Sequence, residues 1–313
     1  MKLMKGAFYF MNKLLKYIKN PFLLVKRGKM RRLRNNSSHY SDEEFVKKAF
    51  RILCGRTLNL KNPSTYNEKI QWLKLNDHSP LYHKLADKYA VRQYVTEKVG
   101  SSYLIPLIST WDSPDEIDFS KLPKSFVIKC NHNSGRGMIL CKDKETLDKK
   151  QALQEIKKGF NEDYFMLGRE WAYKNIQKKI ICEEYIKGLS GEEINDYKFF
   201  CFNGKFKFLL VCSDRHTSLS NDWYDENLNH LPCVNGPKNN KKEIILPDNI
   251  FEMIRVAEKL SEGLIHVRVD LYSVGQSILF GEMTFYESSG FAPFKPVEYD
   301  YLFGSYLKLP IKG

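Results

Sequence analysis

No aspartate or glutamate occurs in the first 41 residues of this 313-residue chain, and none of its seven cysteines stands in a CxxC pair. The odd cysteine count, with most thiols inside apolar runs, excludes a disulfide framework and suits reduced, buried thiols in a cytosol. The seven histidines show no HxxxH or HExxH spacing, so no common zinc motif can be written. Within the N-terminal segment the longest uninterrupted apolar stretch, Ala7 to Met11, is too short for a membrane span or a signal-peptide core. There is no internal repeat, and the only biased segment is that same basic one.

What is present is a chain 42% hydrophobic and 13% aromatic, enough for a large core and two or three subdomains. Its net charge of +13 invites a nucleic-acid partner until the charge is located. Eleven lysines and arginines fall in the first 41 residues, and the remainder carries 39 basic against 37 acidic side chains. A nearly neutral body does not track phosphates, so no nucleic-acid partner is expected. In the basic segment Met4, Phe8, Met11, Leu14, Leu15, Ile18 and Phe22 recur at helical spacing with lysines between them. Such a helix, followed by "VKRGKMRRLR" (Val25 to Arg34), suits an anionic membrane surface through residues 1–34. The alternatives are a helix docked on the protein's own body and a solubilising tail.

Local signals order the rest. Thr65 with Glu68 three residues on starts a helix. "SPLYHKLADKYAVRQYVTEKVG" (Ser79 to Gly100) reads as another helix, stopped by Gly100. "SYLIPLISTW" reads as extended. "FVIKCNH" and "GMILCKD" read as strands joined by a tight polar turn, "WAYKNIQKK" (Trp171 to Lys179) as helix, and "IICEEYIKG" as a buried strand. "DYKFFCFNGKFKFLLVCSD" (Asp196 to Asp214) is a hairpin with Asn203-Gly204 at its tip. Residues 215–242 are polar with little period, a candidate substrate loop or lid. Residues 248–262 form a helix capped by Asp248.

"HVRVDLYSVGQSILFGEMTF" (His266 to Phe285) then sets two carboxylates, Asp270 and Glu282, among apolar strand residues. An unpaired carboxylate costs several kcal/mol, on the order of 3 or more, to bury. Arg268 lies on the same strand face as Asp270 and could pair with it, and a divalent cation shared with Glu282 could compensate equally well. Upstream the chain offers Lys88, then Lys129 before a glycine-containing loop (Asn133 to Gly137), then Glu183 and Glu184, then Asp196 and Lys198. Lysines with a flexible backbone loop suit a triphosphate, and two carboxylates on adjacent strands suit its magnesium.

This order and spacing resembles the ATP-grasp superfamily of carboxylate-amine ligases, and most closely its TupA-like branch, named for teichuronopeptide biosynthesis. The likeness spans roughly residues 60–305 and is carried by "LADKYAVRQYV", "FVIKCNHNSGRGMIL", "EEYIKG", "NDYKFFCFNGK", "RVDLY" and "FGEMTFYESSGFAPFKP". The resemblance implies an α+β ATP-grasp fold: two α+β subdomains clasping ATP between antiparallel sheets, preceded by a helical N-terminal region. The implied domains are a basic segment (1–40), a helical region (41–123), a central lid subdomain (124–186) and a C-terminal subdomain with the metal site (187–313).

Carried over residue by residue, Lys88 resembles the lysine that reaches the phosphates, and Lys129 the strand lysine at the phosphates and adenine. Ser134 and Gly135 fall in the lid loop. Glu183, Glu184, Tyr185 and Ile186 fall in the adenine-reading hinge, and Asp196 where the family places an acid on the ribose. Lys198, on the same strand face as Asp196, is implied by the resemblance to point to the phosphates. Asp270 and Glu282 resemble the paired magnesium ligands, with Thr284, a weaker ligand, where many members have asparagine. Arg268 resembles the arginine that stabilises the acyl phosphate or tetrahedral intermediate, and Ser289 and Gly290 stand near the substrate-carboxylate loop. The implied cofactors are ATP and Mg2+. The implied substrates are an amino acid or amine and a uronic acid of a bacterial surface polysaccharide or its lipid-linked precursor. The implied place is the cytoplasm, peripheral at the inner membrane face. Two rivals are a glycosyltransferase of the same pathway, against which "DLY" lacks the second acid of a DxD pair, and a basic adaptor, against which the body is nearly neutral.

Overall fold

The computed structural model describes residues 21–189, 193–214 and 219–310, so most of the amphipathic pattern read over residues 4–22 lies outside the described residues. Contacts divide the chain into two units that meet at Leu58, within the stretch 41–123. The first unit holds α1 (Pro21–Asn35) and α2 (Asp42–Cys54). Ser41 and Glu44 close a reciprocal cap on α2, and Gly55 ends it in the left-handed conformation. On α1, Phe22, Leu24 and Val25 are exposed. No helix among the described residues is long and apolar enough to cross a membrane.

In the second unit, α3 (Tyr66–Asn76) starts at the expected Thr65 and Glu68 pair. The single helix expected over Ser79 to Gly100 is instead two, α4 (Leu81–Ala86) and α5 (Val91–Lys98). The Asp87 carboxylate accepts from the Tyr89 and Ala90 amides at 2.8 and 3.2 Å, ending one helix and starting the next. Lys88 sits in that break.

Two antiparallel sheets follow. Strands β1 (Leu107–Trp111), β2 (Phe126–Cys130), β3 (Ile139–Cys141) and β4 (Ile180–Glu184) pair in the order β1-β4-β2-β3. Helix α6 (Lys149–Phe160) lays Ala152 and Ile156 on Phe126, Ile128, Ile180 and Cys182 to make this sheet's core. Short α7 (Phe165–Gly168) precedes β4. Strands β5 (Asp196–Phe202), β6 (Lys205–Ser213), β7 (Ser220–Tyr224), β8 (His230–Leu231), β9 (His266–Val274) and β10 (Ser277–Thr284) pair in the order β10-β9-β5-β6-β7-β8. Their core takes in α8 (Ile250–Ser261) and α9 (Glu298–Tyr306), where Phe303 stacks on Phe208 at 3.7 Å between ring centres. The hairpin tip Asn203-Gly204 takes φ of 51° and 74°, the left-handed pair that lets two strands join in two residues.

Four local expectations need correction. The β2–β3 link is not a tight turn but residues 131–138, drawn down where the Asn133 amide donates to the Gly159 carbonyl at 2.9 Å. "WAYKNIQKK" makes one helical turn, Trp171–Tyr173, and then leaves the helix, with no regular structure before β4. Asn175 at φ 60° breaks the period, and Asn131 takes the backbone beyond it, donating to Gln177 O at 2.9 Å and accepting from Lys179 N at 2.7 Å. Helix α8 starts at Ile250 with Asn249, not Asp248, before it; the Asn249 side chain does not cap but accepts from the Ser273 hydroxyl at 3.0 Å. The polar stretch after β6 is, over its described part 219–242, not irregular throughout: it supplies β7 and β8.

Candidate active site between the two sheets

Register places the central charges in a row. Lys198 on β5 is the cross-strand partner of Asp270 on β9, and Asp270 is the partner of Glu282 on β10. Directly opposed residues share a face, so all three project to one side. A bulge at Gly281 restores this register after Phe280. Arg268, two residues before Asp270, projects to the same face.

Arg268 joins the row into a network. Its Nε and Nη2 donate to Asp270 at 2.6 and 2.7 Å, Nη2 also to Glu282 at 3.1 Å, and Nη1 to Glu287. Lys198 donates to the second Asp270 oxygen. Burial would drive the Glu282 carboxyl up, but Lys88, Arg268, Lys198 and Lys129 together outweigh it and hold it well below the carboxylate range. Glu287 is likewise raised by burial and lowered further by Arg268 and the Ser288 hydroxyl. For Lys198, burial and Arg268 favour loss of the proton, yet Asp270 and Asp196 keep it above its ordinary value. The carboxylates set among apolar strand residues thus have an ion-pair answer in Arg268 and Lys198, one that leaves hard oxygen donors facing a cavity.

That cavity, about 250 Å³, is lined by Lys88, Lys129, Ser134, Gly135, Lys198, Arg268, Asp270 and Glu282 among others. Lys88 enters it from the α4–α5 break, donating to Asn133 O at 2.6 Å and lying 3.5 Å from Glu282. A neighbouring cavity of about 160 Å³ is walled by Ile105, Val127, Met138, Leu140, Ile194 and Tyr272 and closed by Glu183, Glu184, Tyr185, Ile186 and Asp196. Its apolar walls and polar end suit a flat heteroaromatic ring with a hydroxylated appendage. Lys129, which borders both cavities, is paired to Glu183 at 2.6 Å, and Arg92 reaches the same carboxylate at 3.1 Å.

The remaining expected residues are Thr284, Ser289 and Gly290. Thr284, the cross-strand partner of Arg268 and so on the same face as Glu282, donates its hydroxyl to Glu282 at 3.2 Å and borders a third cavity of about 280 Å³ with Ser289. Gly290 borders none of these three cavities. It takes φ 64°, its carbonyl accepts from Gln71 at 2.7 Å, and a Cβ there would lie 2.5 Å from the Gln71 amide. Ser288 and Ser289 are also left-handed, at 48° and 57°, strain that the α3 contacts hold in place.

Sequence reasoning missed Glu287, Glu170, Arg92 and Tyr272. Glu287 stands inside the quoted "YESSG" next to the serines, so a search for a further partner of Arg268 had a candidate there. Glu170, in "LGREWAY", carries no local signal.

Comparison with known proteins now bears on this arrangement. The model of the TupA-like ATP-grasp family matches residues 68–308, about three quarters of the chain. The chain belongs to the TupA-like ATP-grasp family. Among solved structures it resembles D-alanine–D-alanine ligase from Bacillus anthracis, 18% identical, covering 64% of this chain and 57% of that one, with a TM-score of 0.40. It also resembles D-alanine–D-alanine ligase from Helicobacter pylori, 13% identical over 78% and 70% of the two chains, TM-score 0.40. A third is the ATP-grasp ligase PsnB complexed with a minimal precursor, 11% identical over 66% and 54%, TM-score 0.37. The chain spans little more than half the length of the first of these ligases. Likenesses this distant do not carry function. A search of curated proteins finds no match.

Proposed function

We propose that this ATP-grasp protein is an ATP- and magnesium-dependent carboxylate-amine ligase, and that the carboxylate is a uronic acid of a bacterial surface glycan or its lipid-linked precursor. The observation that supports it is the pair of adjoining cavities, one apolar and ring-sized, the other holding Lys88, Lys129, Lys198 and Arg268 around Asp270 and Glu282.

The donor set fits magnesium. Two carboxylates on adjacent strands, completed by phosphate oxygens, are its usual protein contribution, and the Glu282 oxygen nearest Lys88 is 3.5 Å from it, outside hydrogen-bond range. Among the described residues no group of three or more His, Cys, Asp or Glu side chains is arranged to hold a metal ion by itself, so substrate oxygens would have to complete the set. Magnesium would supply charge neutralisation at the phosphates. The protein's own part is positioning: Lys88, Lys129 and Lys198 are point charges for phosphate oxygens, and the 133–137 backbone covers them. Asp196 and the Glu183 to Ile186 segment orient the nucleoside. Arg268, held by three carboxylates, presents a fixed guanidinium where negative charge develops as the carboxylate takes the γ-phosphoryl group and as the amine then displaces phosphate. The products are an amide, ADP and phosphate.

The experiment is a thermal melt with magnesium-ATP, followed by ADP release with a uronic-acid glycan and a pool of amino acids. A stabilised protein whose ADP release needs both substrates is the expected result. A melt unmoved by magnesium-ATP but raised by UDP-sugars would replace the reading with a glycosyltransferase.

We further propose a peripheral membrane position at the cytoplasmic face, supported by the basic run to Arg34 and the exposed Phe22, Leu24 and Val25. Co-sedimentation with vesicles containing phosphatidylglycerol is expected for the full chain and not for one starting at Asn36. Equal sedimentation of the two would refute it.

A further inference from the structure

We propose that the third cavity is the amine site, in which Glu170 receives the substrate's ammonium group and takes the proton that frees the amine to attack; this rests on the ligase reading above. The cavity of about 280 Å³ shares Ser134, Arg268 and Glu282 with the phosphate cavity, so a nucleophile seated in it lies beside the reacting phosphoryl group. At that size it holds a small substrate or the reacting end of a larger one.

Its lining is acidic. Glu170, Glu282 and Glu287 face it against the single cation Arg268. Arg268 is committed to Asp270, Glu282 and Glu287. Glu170 is 95% buried. Lys74, which does not line the cavity, opposes the cost of burying this carboxylate without cancelling it, and an ammonium group entering the cavity would add a cation on its open side.

The groups facing Glu170 come from every neighbouring element. Lys74 projects from α3, where it donates to Ser289 O at 2.9 Å; Ser289 and Glu287 come from the loop after β10, Arg268 from β9, and Tyr164, Tyr173 and Tyr286 complete the wall. Burial drives the Glu170 carboxyl up to about 7, Glu287 adds to the rise, and Lys74, Ser289 and Arg268 oppose it. The tyrosines are themselves raised by burial and stay neutral. A base titrating near ambient pH is well matched to proton transfer.

The step balances. Glu170 accepts one proton from the ammonium; the amine nitrogen bonds to the acyl carbon; the carbon–oxygen bond to phosphate breaks, and phosphate leaves with the second nitrogen proton. Glu170 then returns its proton to solvent.

The test compares the full-length protein with Glu170→Gln and Glu170→Asp, supplied with magnesium-ATP, a glucuronate oligosaccharide, and either amino acids or hydroxylamine. Hydroxylamine is largely uncharged at neutral pH and needs neither an ammonium site nor a base. Glu170→Gln is expected to lower the ratio of amide to hydroxamate at least tenfold, with Glu170→Asp between it and the parent. The acid limb of the amide pH profile near 7 should vanish in Glu170→Gln. An unchanged ratio, or an unchanged pH profile, overturns the proposal while leaving the ligase standing. A parent protein whose melt ignores magnesium-ATP removes the ligase reading and this one with it. Folding has its own readout. Because the folded carboxyl is raised above 4.5, its burial costs stability as pH rises from 4.5 through about 7. The melting temperature of Glu170→Gln should therefore gain on the parent as pH rises across that window.

Discussion

Asp270→Asn is expected to destabilise the fold by about 3 to 5 kcal/mol and to cut ADP formation by on the order of a hundredfold or more. The side chain accepts from Arg268 at 2.6 and 2.7 Å and from Lys198, and the three side chains are 5%, 9% and 10% exposed. Asparagine keeps the shape and removes the charge, leaving two buried cations with one carboxylate fewer between them. The loss should show as a lower urea midpoint at unchanged slope, with ADP release measured at a concentration where the variant is folded. A variant as stable as the parent would mean that the Arg268 and Lys198 contacts are redundant with those to Glu282 and Glu287. A stable variant with full turnover would remove Asp270 from the chemistry.

Arg268→Lys should lower kcat by about a hundredfold to a thousandfold while the melting shift with magnesium-ATP persists. A guanidinium serves Asp270, Glu282 and Glu287 at once through its planar fork, whereas one ammonium cannot reach all three in that geometry. The substitution also has a pH signature. Arg268 helps hold the Glu282 and Glu287 carboxyls below their ordinary range. Groups depressed in this way add stability that is fully present above their unfolded pKa near 4.5 and is lost as pH falls through the folded value. With lysine the folded values rise, so acid unfolding should begin at a higher pH than in the parent. An unchanged acid midpoint would show that Lys88, Lys129 and Lys198 alone carry the depression.

Features whose cause is local were legible from the chain. Thr65 with Glu68, and Asn203-Gly204, act through hydrogen bonds and backbone angles within a few residues, so their helix start and hairpin appear where expected. The family could be recognised because its residues recur in order along the chain. Expectations went astray where a distant group competed for local backbone. The helix read across Lys88 breaks at Asp87, and the backbone of "WAYKNIQKK" is taken at Gln177 and Lys179 by Asn131, 40 or more residues earlier.

The chain by itself determined the charged groups the protein has to work with, their order, and the strand periodicity that puts Arg268 and Asp270 on one face. Only the tertiary structure decided how those charges share one another. Sheet register set Lys198, Asp270 and Glu282 in a row, and the loop after β10 brought Glu287 onto Arg268. Packing of the segment after α7 against Ser289 buried Glu170 beside both. Coulomb interactions and desolvation depend on distance and burial in space, and a sequence states neither.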